Sequence, residues 1–498
     1  MKYALDAEMS KEVDRFTVKD MGVPGTVLME RAAVCVAEKT AEIAALFSRN
    51  VKIAVVAGSG NNGADGIAAA RILTWQGVNV DIIAVGDESR KTEEYVLQEK
   101  IALNSGLNFV NQSLIPEYDI IIDGIFGVGL SRKVEGKYAE IISLINNCKN
   151  VVVSIDVPSG IDASTGQVLG IAIKADATVT FGYHKTGLLV YPGKEYAGEI
   201  TVSDIGFCPE AIKTLNPAMY FTGEDIKRIP ARIPDSNKGT YGRILVIAGS
   251  EDMSGAAYLS GLAAFKTGAG LVEILTHKQN TEVIRKLLPE AIVKGYDEGS
   301  ADMVLEECME RATCIILGPG LSTGELAKKI TDIVFANGKV PLIADADAIN
   351  IIANDISVLK SYSSTVIITP HIGEMVRISG MSKEEILSDS IGIARKFAVR
   401  NNVILVLKNA VTIIAEPGEH GRTYINTSGT GAMSKAGMGD VLTGIIAGML
   451  ALRIEPFSAA AMGVYLHGIA GEMAAESEGE HSVMASDAAI CVCRIMNN

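Results

Sequence analysis

A glycine-rich turn in the second half of the chain could bind phosphate. It reads Ala436-Gly437-Met438-Gly439-Asp440 and precedes an apolar segment with helical periodicity. Glycines let the backbone approach a ligand, and the free N–H groups at a helix N-terminus attract an anion. Asp440 could accept the proton of a hydroxyl group that is being phosphorylated. A plain helix start capped by aspartate is the alternative for this fragment alone.

Other glycine-rich or polar segments follow predicted strands in the same half. Because the carboxyl ends of parallel strands meet at one edge of a sheet, such segments gather around a common crevice. Four or five of them are hard to explain as turns alone, and they favour a ligand site. The segments are Gly249-Ser250 with Gly255-Ala256-Ala257, Gly318-Pro319-Gly320, Asp345-Ala346-Asp347-Ala348-Ile349-Asn350, Thr369-Pro370-His371 and Ser428-Gly429-Thr430-Gly431.

A loop with possible chemistry also lies in the first half, at Gly58-Ser59-Gly60-Asn61-Asn62-Gly63-Ala64-Asp65-Gly66. Such glycine patterns are common, so the loop alone is weak evidence of dinucleotide binding. Its amide and carboxylate oxygens are hard ligands that suit an alkali or alkaline-earth cation. Asp123 and Asp156 each end a predicted strand. Acids that only cap loops are the alternative, but three strand-end motifs directed at one crevice favour a site.

Short apolar, β-branched runs alternate with helical patterns in both halves, which predicts parallel sheets with helices on both faces. The last two strands, separated by Lys408-Asn409-Ala410, are predicted to form a hairpin. Strands are expected at residues 51–57, 78–85, 119–123, 151–156, 174–181, 243–248, 271–275, 313–317, 340–344, 365–369, 403–407 and 411–415, and helices at 65–76, 440–452, 456–476 and 484–496.

A break separates the two halves. Residues 208–235 contain four prolines and little periodicity, which is typical of a segment between domains. We place the boundary near Pro217. The chain is therefore expected to have one α/β domain at residues 1–216 and a second at residues 217–498.

The composition excludes several classes of protein. The net charge of −14, from 45 basic and 59 acidic residues, argues against nucleic acids and membranes as partners. Seven scattered cysteines without a CxxC pair argue against a zinc site and for a reducing compartment. The first 16 residues are too charged for a signal peptide, and the apolar residues 442–452 are too few for a membrane span. We therefore expect a cytoplasmic enzyme.

The motifs of the second half, taken in this order, resemble the NAD(P)H-hydrate dehydratase branch of the ribokinase-like fold. The resemblance extends to Thr369-Pro370-His371-Ile372-Gly373-Glu374, Lys408-Asn409-Ala410-Val411-Thr412 and residues 435–444. The resemblance implies that a nucleotide phosphorylates the C6 hydroxyl group of hydrated NADH or NADPH, and that phosphate then leaves. ADP is the implied donor, with ATP as the alternative, and Mg²⁺ is expected.

The same resemblance implies roles for individual residues. Asp440 would be the catalytic carboxylate. The hydrate would also touch Ala257, Gly320 and His371, and the nucleotide or its phosphoryl group would touch Lys408, Asn409, Ala410, Val411, Thr412, Gly437 and Gly439. A histidine after a strand-terminal proline more often makes structural hydrogen bonds than catalyses, so we expect ligand contact from His371. Ile372 departs from the family, which often has proline there.

Residues 9–207 resemble the NAD(P)H-hydrate epimerase family, which implies a Rossmann-like three-layer domain that interconverts the R and S hydrates at C6. By resemblance, a potassium ion would lie near Asn62, Asp123 and Ser159. Asp156 would be the main acid–base residue, and Lys185 also matches a family lysine. Contacts to the hydrate would come from Asn61, Asn62, Gly63, Ala64, Asp65, Gly127, Val128, Gly129, Leu130, Ser131, Arg132, Lys133 and Asp156.

Ala64 departs from this second family, which usually has glycine at that position. If the position required a positive φ, alanine would cost about 1 kcal/mol. We expect a helical backbone instead, because Ala64 opens a predicted helix.

Together the resemblances predict a bifunctional enzyme that repairs hydrated nicotinamide cofactors, and we expect a homo-oligomer. Two alternatives stay open. The second domain could be a ribokinase-like kinase acting on a stable small-molecule alcohol, because one fold supports many functions. The first domain could be a non-catalytic ligand sensor, although Asp65, Asp123 and Asp156 are all present.

Overall fold

The computed structural model describes residues Met1–Met496, which form two compact units. The first unit is Tyr3–Ala218, and the second runs from Met219 onward and includes Met1–Lys2. Asn497 and Asn498, which end the predicted second domain, lie outside the described residues. No helix in the described part of the chain is long and apolar enough to cross a membrane.

The first unit is built around a six-stranded parallel sheet in the order β3-β2-β4-β5-β6-β8. A short strand β1 pairs in parallel with β7. The strands are β1 (Lys2–Leu5), β2 (Ile53–Ala57), β3 (Val80–Ala84), β4 (Ile120–Gly124), β5 (Val151–Ile155), β6 (Ala177–Phe181), β7 (His184–Lys185) and β8 (Glu199–Ser203). The helices are α1 (Ala7–Arg15), α2 (Gly25–Ala44), α3 (Asn61–Trp75), α4 (Glu93–Asn104), α5 (Lys137–Asn147), α6 (Thr186–Leu189) and α7 (Gly193–Tyr196).

Alternate residues of β2 pack into two different cores. Val55 belongs to the core that also contains residues of α2 and α3, whereas Ala54 and Val56 belong to the core that contains residues of α5. Successive side chains of a strand point to opposite faces, so the sheet is covered by helices on both faces. This arrangement confirms the predicted three-layer, Rossmann-like architecture.

The predicted start of α3 is wrong by four residues. The helix begins at Asn61, not at Asp65, so Asn61 to Ala64 lie in its first turn and not in a loop. Gly60 is extended at the N-cap, and a Cβ atom on Gly63 would overlap with the carbonyl oxygen of Gly58. Glycine at position 63 therefore allows the helix to start directly behind β2.

The second unit contains a larger sheet in the order β12-β11-β10-β13-β14-β15-β16-β17-β18. The strands from β12 to β16 are parallel, and β17 and β18 are antiparallel additions, so the predicted hairpin of β16 and β17 is confirmed. The strands are β9 (Ala218–Tyr220), β10 (Arg243–Ile247), β11 (Leu271–His277), β12 (Ile292–Tyr296), β13 (Cys314–Leu317), β14 (Leu342–Ala344), β15 (Val366–Ile368), β16 (Ile404–Leu407), β17 (Ile413–Ala415) and β18 (Thr423–Ile425).

Three of these strands were not predicted: β9, which has only three residues and follows Pro217, and also β12 and β18. Strand β12 is partly exposed, and β18 has only three residues, so neither shows a continuous apolar run. The helices are α8 (Ser254–Thr267), α9 (Thr281–Leu287), α10 (Ala301–Met309), α11 (Glu325–Asn337), α12 (Asp347–Ile352), α13 (Val358–Ser361), α14 (Ile372–Ser379), α15 (Lys383–Ser388), α16 (Ser390–Asn401), α17 (Met438–Ala451), α18 (Pro456–Glu478) and α19 (Ala485–Ile495).

Helix α17 packs closely against α8, and this packing positions its N-terminus. Cβ atoms on Gly444 and Gly448 would overlap with atoms of Ser260 and Thr267 on α8. The Oγ atom of Ser260 also donates to the carbonyl oxygen of Asp440 at 3.1 Å. The first turn of α17 is therefore held by contacts further along both helices.

Candidate active sites

The glycine-rich turn of the second unit forms the N-terminus of α17. Gly437 has φ +87°, and a Cβ atom there would lie 2.7 Å from a methyl carbon of Leu259, so only glycine fits without strain. Asp440 follows in the first turn of the helix. Thr443 donates its hydroxyl to the carbonyl oxygen of Asp440 at 2.7 Å. The free N–H groups of this turn can bind an anion beside the Asp440 side chain.

Asp440 lies among other charged groups. Burial and the nearby carboxylate of Asp345 raise the pKa of Asp440 to about 7, while Lys408 acts in the opposite direction. Lys408 donates to Oδ1 of Asp345 at 2.7 Å, and Thr369 donates to the same oxygen at 2.6 Å. Ala346, next to Asp345, has φ +49°, a strained conformation of the kind that clusters at functional sites. The site therefore combines a base that titrates near neutral pH with a fixed ammonium group.

His371 caps the N-terminus of α14. Its Nδ1 accepts hydrogen bonds from the backbone N–H groups of Gly373 (2.9 Å) and Glu374 (3.3 Å), so in the neutral ring the proton lies on Nε2. Burial lowers the pKa of His371, and Lys408 adds to that effect. The side chain is 55% exposed. His371 is thus a structural hydrogen-bonding residue with an exposed ring, and its Nε2 lies 3.4 Å from Oε1 of Glu374.

Glu374 was missed as a site residue by the sequence analysis. Its carboxylate accepts from the backbone N–H of His371 at 2.8 Å, and burial raises its pKa to about 7. Lys408 and Asp345 act on Glu374 electrostatically, so it belongs to the same charged group as Asp440. Glu374 stands three residues after His371, which is the spacing of a capping box, and this spacing could have identified it in the sequence.

The remaining predicted contacts of the second unit differ in accessibility. Ala257 is fully buried in the first half of α8, so neither its side chain nor its backbone is accessible to a ligand in this structure. Gly320 has φ +60°. Lys408 follows β16 directly, and His371 and Lys408 form an isolated parallel bridge that places these two predicted contacts side by side. Asn409 and Ala410 are exposed, Val411 is buried, and Thr412 and Gly439 are partly exposed.

The first unit encloses a cavity of about 910 Å³ at the carboxyl ends of its strands. Asp156 lines it with φ +63°, a left-handed conformation that is strained for a residue other than glycine. Oδ1 of Asp156 accepts from Lys185 Nζ (2.6 Å), Thr180 Oγ1 (2.9 Å) and the backbone N–H of Phe181 (3.3 Å). Both charged side chains are nearly buried, and the ion pair fixes the carboxylate at the cavity wall.

Lys185 is held by more than its ion pair. Its ammonium group also donates to Thr180 Oγ1 at 3.0 Å and to the carbonyl oxygen of Phe181 at 3.1 Å. The pairing of Leu5 in β1 with Lys185 in β7 positions the backbone of this lysine. All three ammonium protons therefore have partners within the site.

The residues predicted to hold potassium do come together. Oδ1 of Asp123 accepts from Ser159 Oγ at 2.6 Å, and Oδ2 accepts from Ser154 Oγ at 2.9 Å and Ser159 N–H at 2.9 Å. Asn62 donates to the carbonyl oxygen of Phe126 at 3.0 Å, and Ser159 Oγ lies 3.2 Å from that oxygen. Burial raises the pKa of Asp123. Ser159 Oγ thus links Asp123 to the carbonyl oxygen of Phe126, which was not foreseen, and Asn62 reaches the same carbonyl through its amide nitrogen.

The cavity gathers most of the predicted contacts. Among the described residues, Lys133, Gly63 and Ala64 do not line it, and Asp123 and Ser159 are fully buried. Helix α1 adds wall residues that were not predicted, including Ser10, Lys11 and Asp14. The lining residues that were predicted are Asn61, Asn62, Asp65, Gly127, Val128, Gly129, Leu130, Ser131, Arg132, Asp156 and Lys185.

Ala64 lies in α3 with a helical backbone, as predicted, and its N–H donates to Gly60 O at 3.1 Å. We expect Ala64→Gly to lower the free energy of unfolding of the first unit by about 1 kcal/mol, because glycine loses more backbone entropy in a helix. Urea denaturation measures this, with Ala68→Gly in the same helix as the matched control. A gain in stability from Ala64→Gly alone would show that the position prefers another conformation.

Comparisons with known proteins match both units. The family model described as NAD(P)H-hydrate dehydratase matches residues 244–494, and the model described as the YjeF-related protein N-terminus matches residues 25–187. The crystal structure of the ADP/ATP-dependent NAD(P)H-hydrate dehydratase from Bacillus subtilis is 32% identical with a TM-score of 0.50. The match covers 56% of this chain and 98% of the Bacillus subtilis chain. A ribokinase-like superfamily protein from Enterococcus faecalis is 29% identical, also with a TM-score of 0.50, over 56% of this chain and 95% of its own.

Relatives also match along nearly the whole chain. The bifunctional NAD(P)H-hydrate repair enzyme of Moorella thermoacetica is 35% identical over 97% of this chain and 95% of its own length. The enzyme of the same name from Escherichia coli is 34% identical over 89% of this chain and 84% of its own. Each of these relatives matches both halves of the chain in the same order, and the motifs of the sequence follow that order too. The chain therefore belongs to the family of bifunctional NAD(P)H-hydrate repair enzymes.

Proposed function

We propose that residues 217–498 are a dehydratase that removes water from the S form of hydrated NADH or NADPH at the expense of ADP. The observation that carries this proposal is Asp440, a carboxylate with a pKa near 7 in the first turn of α17. A group of this pKa can take the proton of the C6 hydroxyl group as that oxygen attacks the terminal phosphorus of the nucleotide. The free N–H groups of the turn Gly437 to Gly439 then hold the transferred phosphoryl group.

Phosphorylation makes the following elimination possible. Hydroxide is a poor leaving group near neutral pH, whereas phosphate is a good one. The lone pair of the ring nitrogen N1 expels phosphate from C6, and loss of a proton from C5 restores the dihydropyridine ring. The reaction converts the hydrate and ADP into NADH or NADPH, AMP and phosphate. It balances because the elements of water lost by the hydrate end in AMP and phosphate.

Ligand contacts in this unit follow from the positions described above. His371 donates from Nε2 to the hydrate, and Gly320 contacts it. Lys408 and the segment from Asn409 to Thr412 bind the nucleotide, with Gly437 and Gly439. Mg²⁺ would bind nucleotide phosphate oxygens together with one or two carboxylates, and Asp345 and Asp440 lie close enough to affect each other. That pair of hard oxygen donors fits the ion.

We assign the first unit, residues 1–216, as the epimerase that interconverts the R and S hydrates. Asp156 supplies the acid–base group, and Lys185 orients it through their ion pair. The rings of Phe126 and Tyr138, with centroids 4.9 Å apart, line the cavity and offer an apolar surface to the nicotinamide ring. Asn61, Asp65 and residues 127–132 contact the rest of the hydrate. Epimerisation supplies the S form that the dehydratase consumes, so the two reactions together recover all of the hydrate.

Potassium would bind the first unit through Asn62, Asp123 and Ser159, with the Phe126 carbonyl. These donors fit a large, hard cation, and the ion would neutralise the buried Asp123 carboxylate. We expect K⁺ to raise the free energy of unfolding of this unit by about 2.7 kcal/mol at one hundred times its dissociation constant.

Thermal unfolding in K⁺ and in Li⁺ at equal ionic strength measures this potassium effect. Ser159→Ala should remove the difference between the two salts. Equal stability of the wild-type protein in both salts would contradict the assignment.

The enzyme is expected to act in the cytoplasm as a homo-oligomer on small-molecule substrates. The phosphoryl donor is tested by phosphate release from the S hydrate with ADP or ATP, measured in parallel. We expect release with ADP at the higher kcat/KM. If a nucleotide instead phosphorylated a stable alcohol and no dihydropyridine formed, the second unit would be a small-molecule kinase.

A further inference from the structure

We propose that Asp65 is a second catalytic residue of the epimerase, which donates the proton that lets the C6 hydroxyl group leave as water. Asp156 then takes the proton of the water that adds back. This inference rests on the epimerase function proposed above. It gives Asp65 a chemical role, where family resemblance implied only contact with the hydrate.

Asp65 and Asp156 line the same cavity but have opposite surroundings. Asp156 is paired with the ammonium group of Lys185. In the described part of the chain, every donor to Asp156 reaches Oδ1, which leaves Oδ2 for a substrate or a water molecule. The ion pair with Lys185 therefore fixes the Asp156 carboxyl group in place and favours its role as the base.

Among the described residues, no basic group acts on Asp65 to offset the two acids near it. It lies on α3, is partly accessible from the cavity and is otherwise surrounded by protein. The charged groups that act on it are Asp156, after β5, and Asp14, on α1. Glu94, on α4, acts in turn on Asp14. Burial, with repulsion from Asp156 and Asp14, raises the pKa of Asp65 well above its usual range.

Two carboxyl groups with such different surroundings in one cavity can act as an acid and a base. Asp65 protonates the C6 oxygen, and the C6–O bond breaks while the N1 lone pair forms an N1=C6 double bond. Water leaves. A second water molecule attacks C6 from the other face, the N1=C6 electron pair returns to N1, and Asp156 takes the proton released. The substrate keeps its composition, one proton passes from Asp65 to Asp156, and exchange with solvent returns both groups to their starting states.

Asp65→Asn in the full chain tests this role. We expect the epimerisation kcat to fall by about 10²- to 10⁴-fold, the usual contribution of a general acid. The KM for the R hydrate should stay within about threefold, because the amide keeps the shape and its hydrogen-bonding capacity. Asp65→Glu should recover part of the rate. Asp81→Asn, on β3 outside the cavity, is the matched control and should epimerise like the wild type.

Two further measurements separate this role from a structural one. The wild-type epimerisation rate should fall as the pH rises through the pKa of Asp65, because only the protonated acid donates, and Asp65→Asn should lack this limb. In ¹⁸O-water, each epimerisation should place ¹⁸O on C6. An Asp65→Asn protein that epimerises within threefold of the wild type, or epimerisation without label, would overturn the proposal. A wild-type protein that does not epimerise would instead refute the function on which it rests.

Discussion

Asp440→Asn should lose dehydration by about 10²- to 10⁴-fold while epimerisation continues, because asparagine keeps the shape but cannot accept the hydroxyl proton. The residue acts as a base only when ionised. Its pKa of about 7 therefore predicts that the wild-type dehydration rate rises with pH and levels off above that value. Phosphate release from the S hydrate with ADP, measured across this pH range, tests both statements.

The same Asp440→Asn sample supplies its own control, since unchanged epimerisation shows that the first unit is intact. Asp302→Asn, an exposed acid on α10, is the matched control for the second unit. Loss of both reactions in Asp440→Asn would argue against two separate sites. Dehydration that survives in Asp440→Asn would remove Asp440 from the mechanism.

Asp156→Asn should lower epimerisation by about 10²- to 10⁴-fold and leave dehydration of the S hydrate unchanged. Asparagine tolerates the left-handed backbone of this position, so the chain path should persist. The substitution leaves the ammonium group of Lys185 buried without its counter-ion, which typically destabilises by about 3–5 kcal/mol. Chiral analysis of the hydrate measures the rate, and urea denaturation measures the stability.

The double variant Asp156→Asn with Lys185→Met separates the two effects. Removing both charges should restore much of the stability, because no unpaired charge remains, while the epimerisation rate stays low. Should Asp156→Asn epimerise at the wild-type rate, the first unit would be a non-catalytic ligand-binding domain. Recovery of activity in the double variant would show that the single substitution acted through misfolding.

Strands and loops of both sites could be predicted from the sequence, because short apolar runs and glycine-rich strand ends are local signals. The ion pairs that tune the catalytic groups could not. Lys185 lies 29 residues from Asp156, and Lys408 lies 63 residues from Asp345. Their proximity depends on strand order, which a local pattern does not contain.

The conformations of individual residues also could not be predicted from the sequence. The φ of +63° at Asp156 is unusual for aspartate, and no residue type in its loop announces it. The early start of α3 depends on the contact between Gly63 and the Gly58 carbonyl, a tertiary feature. The contribution of α1 to the cavity could not be predicted either. Its charged residues belong to no motif, and they reach the cavity only through the tertiary fold.

A mixture of R and S hydrates tests whether one chain carries both reactions. The purified protein is incubated with this mixture and ADP, and formation of NADH or NADPH is followed by absorbance. We predict conversion of the whole mixture by the wild type, and conversion that stops at the S fraction with Asp156→Asn. Conversion by the wild type that stops at the S fraction would show that the first unit does not epimerise, and no conversion would show that the second unit is not an ADP-dependent dehydratase.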